Sequence, residues 1–174
     1  MLNQEGTFVL LSLGANLGDR LAALQSAVEL LQIETQLHET VCSPVYETEP
    51  IGYKNQPPFL NIAVRGRTPL SAIAFHAESK RIEQEIGRKS RERWHEREID
   101  IDILLFGNEI ISLYKLQLPH PRMEERRFVL VPSADIAPDA IHPVLRKPIH
   151  VLLEECIDTA EVIKTELSIK TLNN

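Results

Sequence analysis

The chain has 174 residues, 43% hydrophobic and 25% charged, with a net charge of −6. That length allows a sizeable core without disulfide staples, and the composition excludes a disordered chain. The acidic balance excludes a protein built globally to coat nucleic acid or anionic membrane.

Phe8 to Leu13 is a compact apolar run that predicts a central strand. At six residues, FVLLSL is too short for a secretion signal or a membrane span, and a soluble cytoplasmic protein is expected. Gly14 and Gly18 bracket a turn, and Asp19 stands at the start of a helix whose Leu17, Leu21, Leu24, Val28 and Leu31 form one stripe to about residue 33. Val41 to Thr48 predicts a second strand. Pro50, Gly52, Pro57 and Pro58 make residues 49–58 a loop long enough to serve a site.

Phe59 to Gly66 predicts a third strand. Pro69 opens a helix with Leu70, Ile73, Ala74, Ala77 and Ile82 or Ile86 inward, ended by Gly87. Residues 88–97 hold five basic and two acidic side chains, a local +3. Ile99 to Phe106 is the clearest alternating strand, with Ile99, Ile101, Ile103 and Leu105 on one face and Asp100, Asp102, Leu104 and Phe106 on the other. Glu109 to Ser112 returns as a short strand. Phe128 to Val131 is strand-like but limited by Pro132, and Pro148 starts a helix carrying Ile149, Leu152, Leu153 and Cys156. The tail after residue 160 suits strand or helix. Cys42 and Cys156 match no metal spacing and are expected as reduced, buried thiols.

This order predicts an α+β, ferredoxin-like β-α-β-β-α-β core with C-terminal additions, in one domain of two or three layers whose core spans about 8–158. Helices cover one sheet face and the other is left for ligands.

Asp100 and Asp102 project two carboxylates from one strand face. Their repulsion disfavours an empty site, and a divalent cation removes it; Mg²⁺ with one or two carboxylates and substrate phosphates fits this donor set. A solvated strand face is the alternative. Arg88, Lys89, Arg91, Arg93 and Arg97 are suited to phosphate oxygens, or to a salt-laced solvated loop. Trp94, inside that basic stretch, either closes over a flat ligand or anchors the loop. Asn61 offers a donor and an acceptor to a heterocycle edge, with core turn-capping as the alternative. His120, with Arg126 and Arg127 behind it, suits a phosphate contact or a structural role. No G-x-G-x-x-G or G-x-x-x-x-G-K-[ST] is present, so a nucleotide would be held without a P-loop.

The stretch from Arg93 to Gly107, RWHEREIDIDILLFG, resembles the signature of the 6-hydroxymethyl-7,8-dihydropterin pyrophosphokinase family. Supporting blocks are Leu13–Gly18, Tyr46–Gly52, Gln56–Asn61, Arg81–Glu83, Pro119–Met123 and Arg126–Phe128, in the family's order. The resemblance implies transfer of the β,γ-pyrophosphoryl group of ATP to the pterin hydroxymethyl oxygen, giving AMP and the pterin diphosphate. It implies two Mg²⁺ ions on Asp100 and Asp102. It maps the pterin pocket onto Gly14, Thr48, Ile51, Phe59, Asn61, Trp94, Asp100 and Phe128, with Phe59 and Phe128 sandwiching the ring. It assigns Arg88 and Arg97 to catalysis with the two aspartates. ATP would be held by Glu83, Arg88, Arg91, Arg93, Arg97, His120 and Arg126, with residues 49–58 and 88–97 closing over the site. The partners implied are the two small substrates, with no nucleic acid and no membrane, and a monomer with a dimer as the alternative. His95, Glu96, Glu49 and Ala15 depart from common family residues, and the stretch between Gly87 and Trp94 is shorter than in some members. Another two-metal phosphoryl or nucleotidyl transferase, and a non-catalytic ligand-binding domain, are the competing readings.

Overall fold

The computed structural model describes residues 6–50, 56–89 and 98–172. Strand β1 (Thr7–Ala15) leads into α1 (Arg20–Glu34), and β2 (His38–Cys42) and β3 (Tyr46–Thr48) follow. Then come β4 (Phe59–Thr68), α2 (Ala72–Lys89) and β5 (Asp100–Phe106). The sheet order is β5-β1-β4-β3, with β2 also on β4 and every pairing antiparallel. Counting β2 and β3 as one interrupted strand, this is the predicted ferredoxin-like arrangement.

The single strand expected over 41–48 is two strands because Pro44 offers no N–H to the ladder. Ser43 holds the break against β4: its N–H donates to the Ala63 carbonyl at 2.9 Å, and its hydroxyl accepts from the Ala63 N–H at 2.9 Å. Asp19 caps α1 as expected, accepting from the Ala22 N–H at 3.0 Å. Leu24, Val28 and Leu31 are buried against the sheet together with Ala23 and Ala27.

Helix α2 corrects its predicted face and its predicted end. Ile82 and Ile86 are buried as expected, but Ile73 is 61% exposed and Ala77 is also exposed, and Ala72, Phe75 and Ser79 are buried in their place. The frame is set by Ser71, whose hydroxyl accepts from the Ala74 N–H and whose carbonyl accepts from the Phe75 N–H. The helix therefore starts at Ser71 rather than Pro69, and its first turns turn Ala72 and Phe75 inward. The helix also passes through Gly87 to Lys89.

The alternation of β5 holds only as far as Leu104. Leu11 pairs with Ile103 but Leu10 pairs with Leu105, so Leu104 is an extra residue on the β5 side. Beyond this bulge Leu105 joins Leu10 in the far-face core, and Phe106 joins the helix-side core. Phe106 meets Phe75 edge-on with ring centroids 5.9 Å apart. The predicted faces of Leu105 and Phe106 are therefore exchanged.

The far face is not left bare. A 3-10 turn at Met123–Glu125, α3 (Arg127–Ile136) and α4 (Ile149–Glu155) cover part of it, burying Met123, Val129, Leu130, Ile149 and Leu152 against Leu10, Leu104 and Leu105. Phe128 thus stands in the first turn of a helix rather than in a strand-like segment, and Pro132 lies inside that helix. Hairpin strands β6 (Ile111–Leu113) and β7 (Leu116–Leu118) follow β5. Strand β8 (Val162–Lys164) pairs with β3. The tail then returns along α1, where the Gln25 amide exchanges two hydrogen bonds with the Lys170 backbone and the Gln32 amide does the same with Leu172. Cys42 and Cys156 are free thiols, each half-buried rather than enclosed. Among the described residues no helix is long and apolar enough to cross a membrane.

Candidate active site

Where α3 stops covering the far face, a cavity of about 710 Å³ opens over the ends of β1, β3, β4 and β5. Its floor follows from strand register. Asp100 lies opposite Gly14, Gly14 opposite Asn61, and Asn61 opposite Tyr46, so one row of residues crosses four strands. Directly opposed residues share a face. Two residues along, Asp102 faces Ser12, which adds a hydroxyl to the same cavity.

Asn61 is 3% exposed, and its amide N–H donates to the Thr48 hydroxyl at 2.6 Å. Its Oδ1 lies over Gly14: a Cβ built there would come within 2.9 Å of that oxygen and 3.8 Å of the Phe59 ring. The missing side chain at Gly14 is thus what lets the buried amide reach the floor. Phe59 and Phe128 both line the cavity, one from the start of β4 and the other from the start of α3.

Asp100 and Asp102 line the same cavity. The Asp102 carboxylate is 43% exposed and lies 4.0 Å from His120 Nε2. Among the described residues there is no cluster of three His, Cys, Asp or Glu side chains suited to a metal. Two carboxylates on one strand still fit Mg²⁺ when a substrate's phosphates supply further oxygens, because this ion is commonly held by one or two protein carboxylates.

Glu83 supports β5 from α2 and lines neither this cavity nor the next. Its Oε1 accepts from the Ile101 N–H at 2.7 Å and from Lys80 Nζ at 2.8 Å, fixing the backbone between the two aspartates. Burial raises the Glu83 carboxyl above its ordinary pKa and the Asp100 charge adds to this, against the Lys80 and Ile101 hydrogen bonds.

A second cavity of about 240 Å³ meets the first at Asp102, with His120, Lys80, Leu116 and Gln117 among its walls. His120 is anchored by its N–H to the Leu104 carbonyl at 2.9 Å. Its ring Nδ1 is buried and has no hydrogen-bond partner among the described residues. Burial lowers the imidazole pKa, while the Asp102 charge pulls the other way. Arg126 lines the larger cavity, and its guanidinium has no hydrogen-bonded or ion-paired partner among the described residues.

Gly14, Thr48, Phe59, Asn61, Asp100, Asp102, Arg126 and Phe128 are therefore brought together, with His120 in the adjoining cavity. Ile51, Arg91, Arg93, Trp94 and Arg97 lie outside the described residues, as does the side chain of Arg88. Ser12, Lys80, Leu116 and Gln117 were not singled out from sequence. Ser12 was within reach, because it is two residues from Gly14 in an evident strand and so on the same face.

A family profile described as 7,8-dihydro-6-hydroxymethylpterin-pyrophosphokinase matches residues 10–138. The chain belongs to this family. A 2-amino-4-hydroxy-6-hydroxymethyldihydropteridine pyrophosphokinase of Aquifex aeolicus is 41% identical over 141 residues, covering 81% of this chain and 87% of that one. The Bacillus subtilis protein of the same name is 45% identical over 126 residues, covering 72% and 75%. Among solved structures, Plasmodium falciparum HPPK-DHPS, wild type with pteroate, superposes with a TM-score of 0.65 at 18% identity. It covers 86% of this chain and 44% of that one, so the present chain spans under half of that protein and shares its fold over that part.

Proposed function

We propose that the chain transfers the β,γ-pyrophosphoryl group of ATP to the hydroxymethyl oxygen of 6-hydroxymethyl-7,8-dihydropterin, releasing AMP and the pterin diphosphate. The observation that carries this reading is the row Asp100–Gly14–Asn61 across three strands, which brings a buried amide into one cavity with two phenylalanines and a pair of carboxylates. Family membership supports the same reaction.

In this reading Phe59 and Phe128 take the faces of the pterin, and the Asn61 amide, held by Thr48, reads its edge. Asp100 and Asp102 would hold Mg²⁺. When bound, Mg²⁺ would supply neutralisation of phosphate charge and orientation of the transferred group. The hydroxymethyl oxygen attacks the β-phosphorus, the bond from that phosphorus to the α,β-bridging oxygen breaks, and its electron pair leaves with AMP. The hydroxyl proton passes to solvent. Positioning and charge carry this step, and no covalent enzyme intermediate is needed. His120 and Arg126 contact ATP phosphates, with Arg88, Arg91, Arg93 and Arg97 supplying further charge; Glu83 acts by holding β5. Ile51 and Trp94 complete the pterin pocket. Residues 1–174 act as one domain with its core at about 8–158, as a monomer in the cytoplasm.

Incubation with Mg-ATP and the pterin tests this. AMP should form in step with the pterin diphosphate, and Asp100→Asn or Asp102→Asn should slow it by about 10²-fold or more. Release of ADP in place of AMP, or AMP formation indifferent to the pterin, overturns the assignment.

A further inference from the structure

At the other end of the far face lies a cavity of about 470 Å³ that shares no lining residue with the reaction cavity. Phe8, Leu105, Ile136 and Ala140 give it apolar walls, and Arg65 of β4 reaches into them. Arg65 Nε is buried and has no hydrogen-bond partner among the described residues. No carboxylate among the described residues lies within ion-pair distance of this guanidinium. Arg67, two residues along the same strand, is by contrast satisfied by the Gly6 carbonyl at 3.0 Å and by Glu39 at 3.5 Å. Asp139 also lines the Arg65 cavity, but its carboxylate is 93% exposed and lies 3.7 Å from His150 Nδ1.

We propose that Arg65 heads a second ligand site, which takes a small monocarboxylate carried on an apolar body. A buried guanidinium N–H left without an acceptor is unfavourable, and a carboxylate answers two guanidinium N–H groups at once. The walls select hydrocarbon next to that charge. Arg65 is the sole cation among the described residues that line the cavity, Asp139 stands in the same lining, and the chain carries −6, so a phosphate dianion is disfavoured. The volume lies in the range of small-molecule sites. This inference is independent of the reaction proposed above.

Benzoate is the probe, with benzyl alcohol, acetate and inorganic phosphate as comparisons, each titrated into the ¹⁵N-labelled full chain. Benzoate should shift the Gly107, Asn108 and Ile136 amides saturably at about millimolar concentration and leave Gly14 and Asn61 still. The three comparison compounds should bind at least tenfold more weakly. Arg65→Met should weaken benzoate at least tenfold, with Arg65→Lys intermediate. Ala140→Phe, which narrows the cavity and leaves the charge, should abolish the shifts and serves if Arg65→Met does not fold. Equal binding of benzyl alcohol, equal binding by Arg65→Met, or no saturable shift with benzoate overturns the site. Phosphate binding as tightly as benzoate overturns the monocarboxylate assignment.

Discussion

Gly14 and Asn61 face each other across β1 and β4, and a single methyl group on Gly14 would sit 2.9 Å from Asn61 Oδ1. The amide cannot retreat without leaving the Thr48 hydroxyl, which it donates to at 2.6 Å. Gly14→Ala should therefore raise the pterin KM by about ten- to a hundredfold and leave the KM for ATP within about twofold. Steady-state kinetics on both substrates check this, and an unchanged pterin KM would remove Asn61 from pterin recognition.

Arg20, at the first position of α1, holds both described ends of the segment between β3 and β4. Its Nη1 donates to Glu47 Oε2 at 3.1 Å and to the Pro58 carbonyl at 2.6 Å. These neighbours lie next to Thr48 and Phe59. Arg20→Ala should raise the pterin KM several-fold and cost about 1 kcal/mol in stability, since the ion pair is partly exposed. Denaturant titration and kinetics separate the two effects; a stability loss with wild-type KM would make Arg20 structural only.

Tyr46 donates its hydroxyl to Asp135 at 2.5 Å, tying β3 to α3. Burial, then the Asp135 hydrogen bond and charge, push the Tyr46 pKa from 10.0 up to about 12. A raised folded-state pKa means that the native state keeps its proton after the unfolded chain has lost it. The stabilisation is therefore complete below pH about 10 and is lost as pH rises towards 12. Thermal melts from pH 8 to 12 should show that decline in the wild type, and Tyr46→Phe should flatten it. The same variant should lose about 1 kcal/mol near pH 7.

The returning tail places Ile169 against the helix-side core, with Gln25 and Gln32 each exchanging two hydrogen bonds with its backbone. Deleting residues 167–174 should lower unfolding stability by about 1–3 kcal/mol and leave kcat within about twofold. Urea titration beside an AMP-formation assay measures both.

The paired acids and the ferredoxin-like order were legible because period-two alternation and short apolar runs are local signals. Asp100 and Asp102 announce their shared face without reference to any other strand. Gly14 is different: its need to be glycine comes from Asn61, 47 positions away, and register brings the two together. The second half of the α2 stripe, Ile82 and Ile86, was legible, whereas its first turns bury Ala72 and Phe75 in place of Ile73 and Ala77. Phe128 reads as strand-like because it opens a short apolar run that Pro132 cuts off, yet the helix forms around that proline by burying Val129, Leu130 and Ser133. The lone guanidinium of Arg65 has no sequence signature at all, because its environment is assembled from β1, β5 and the residues after α3.

The extra residue at Leu104 fixes how β5 tolerates insertions and deletions. On its N-terminal side the strand presents acids to the reaction cavity, and on its C-terminal side it anchors Leu105 and Phe106 in opposite cores. Losing one residue there would force a choice between anchoring the strand's end and aiming its carboxylates, so length in this segment is constrained even where side-chain identity is free.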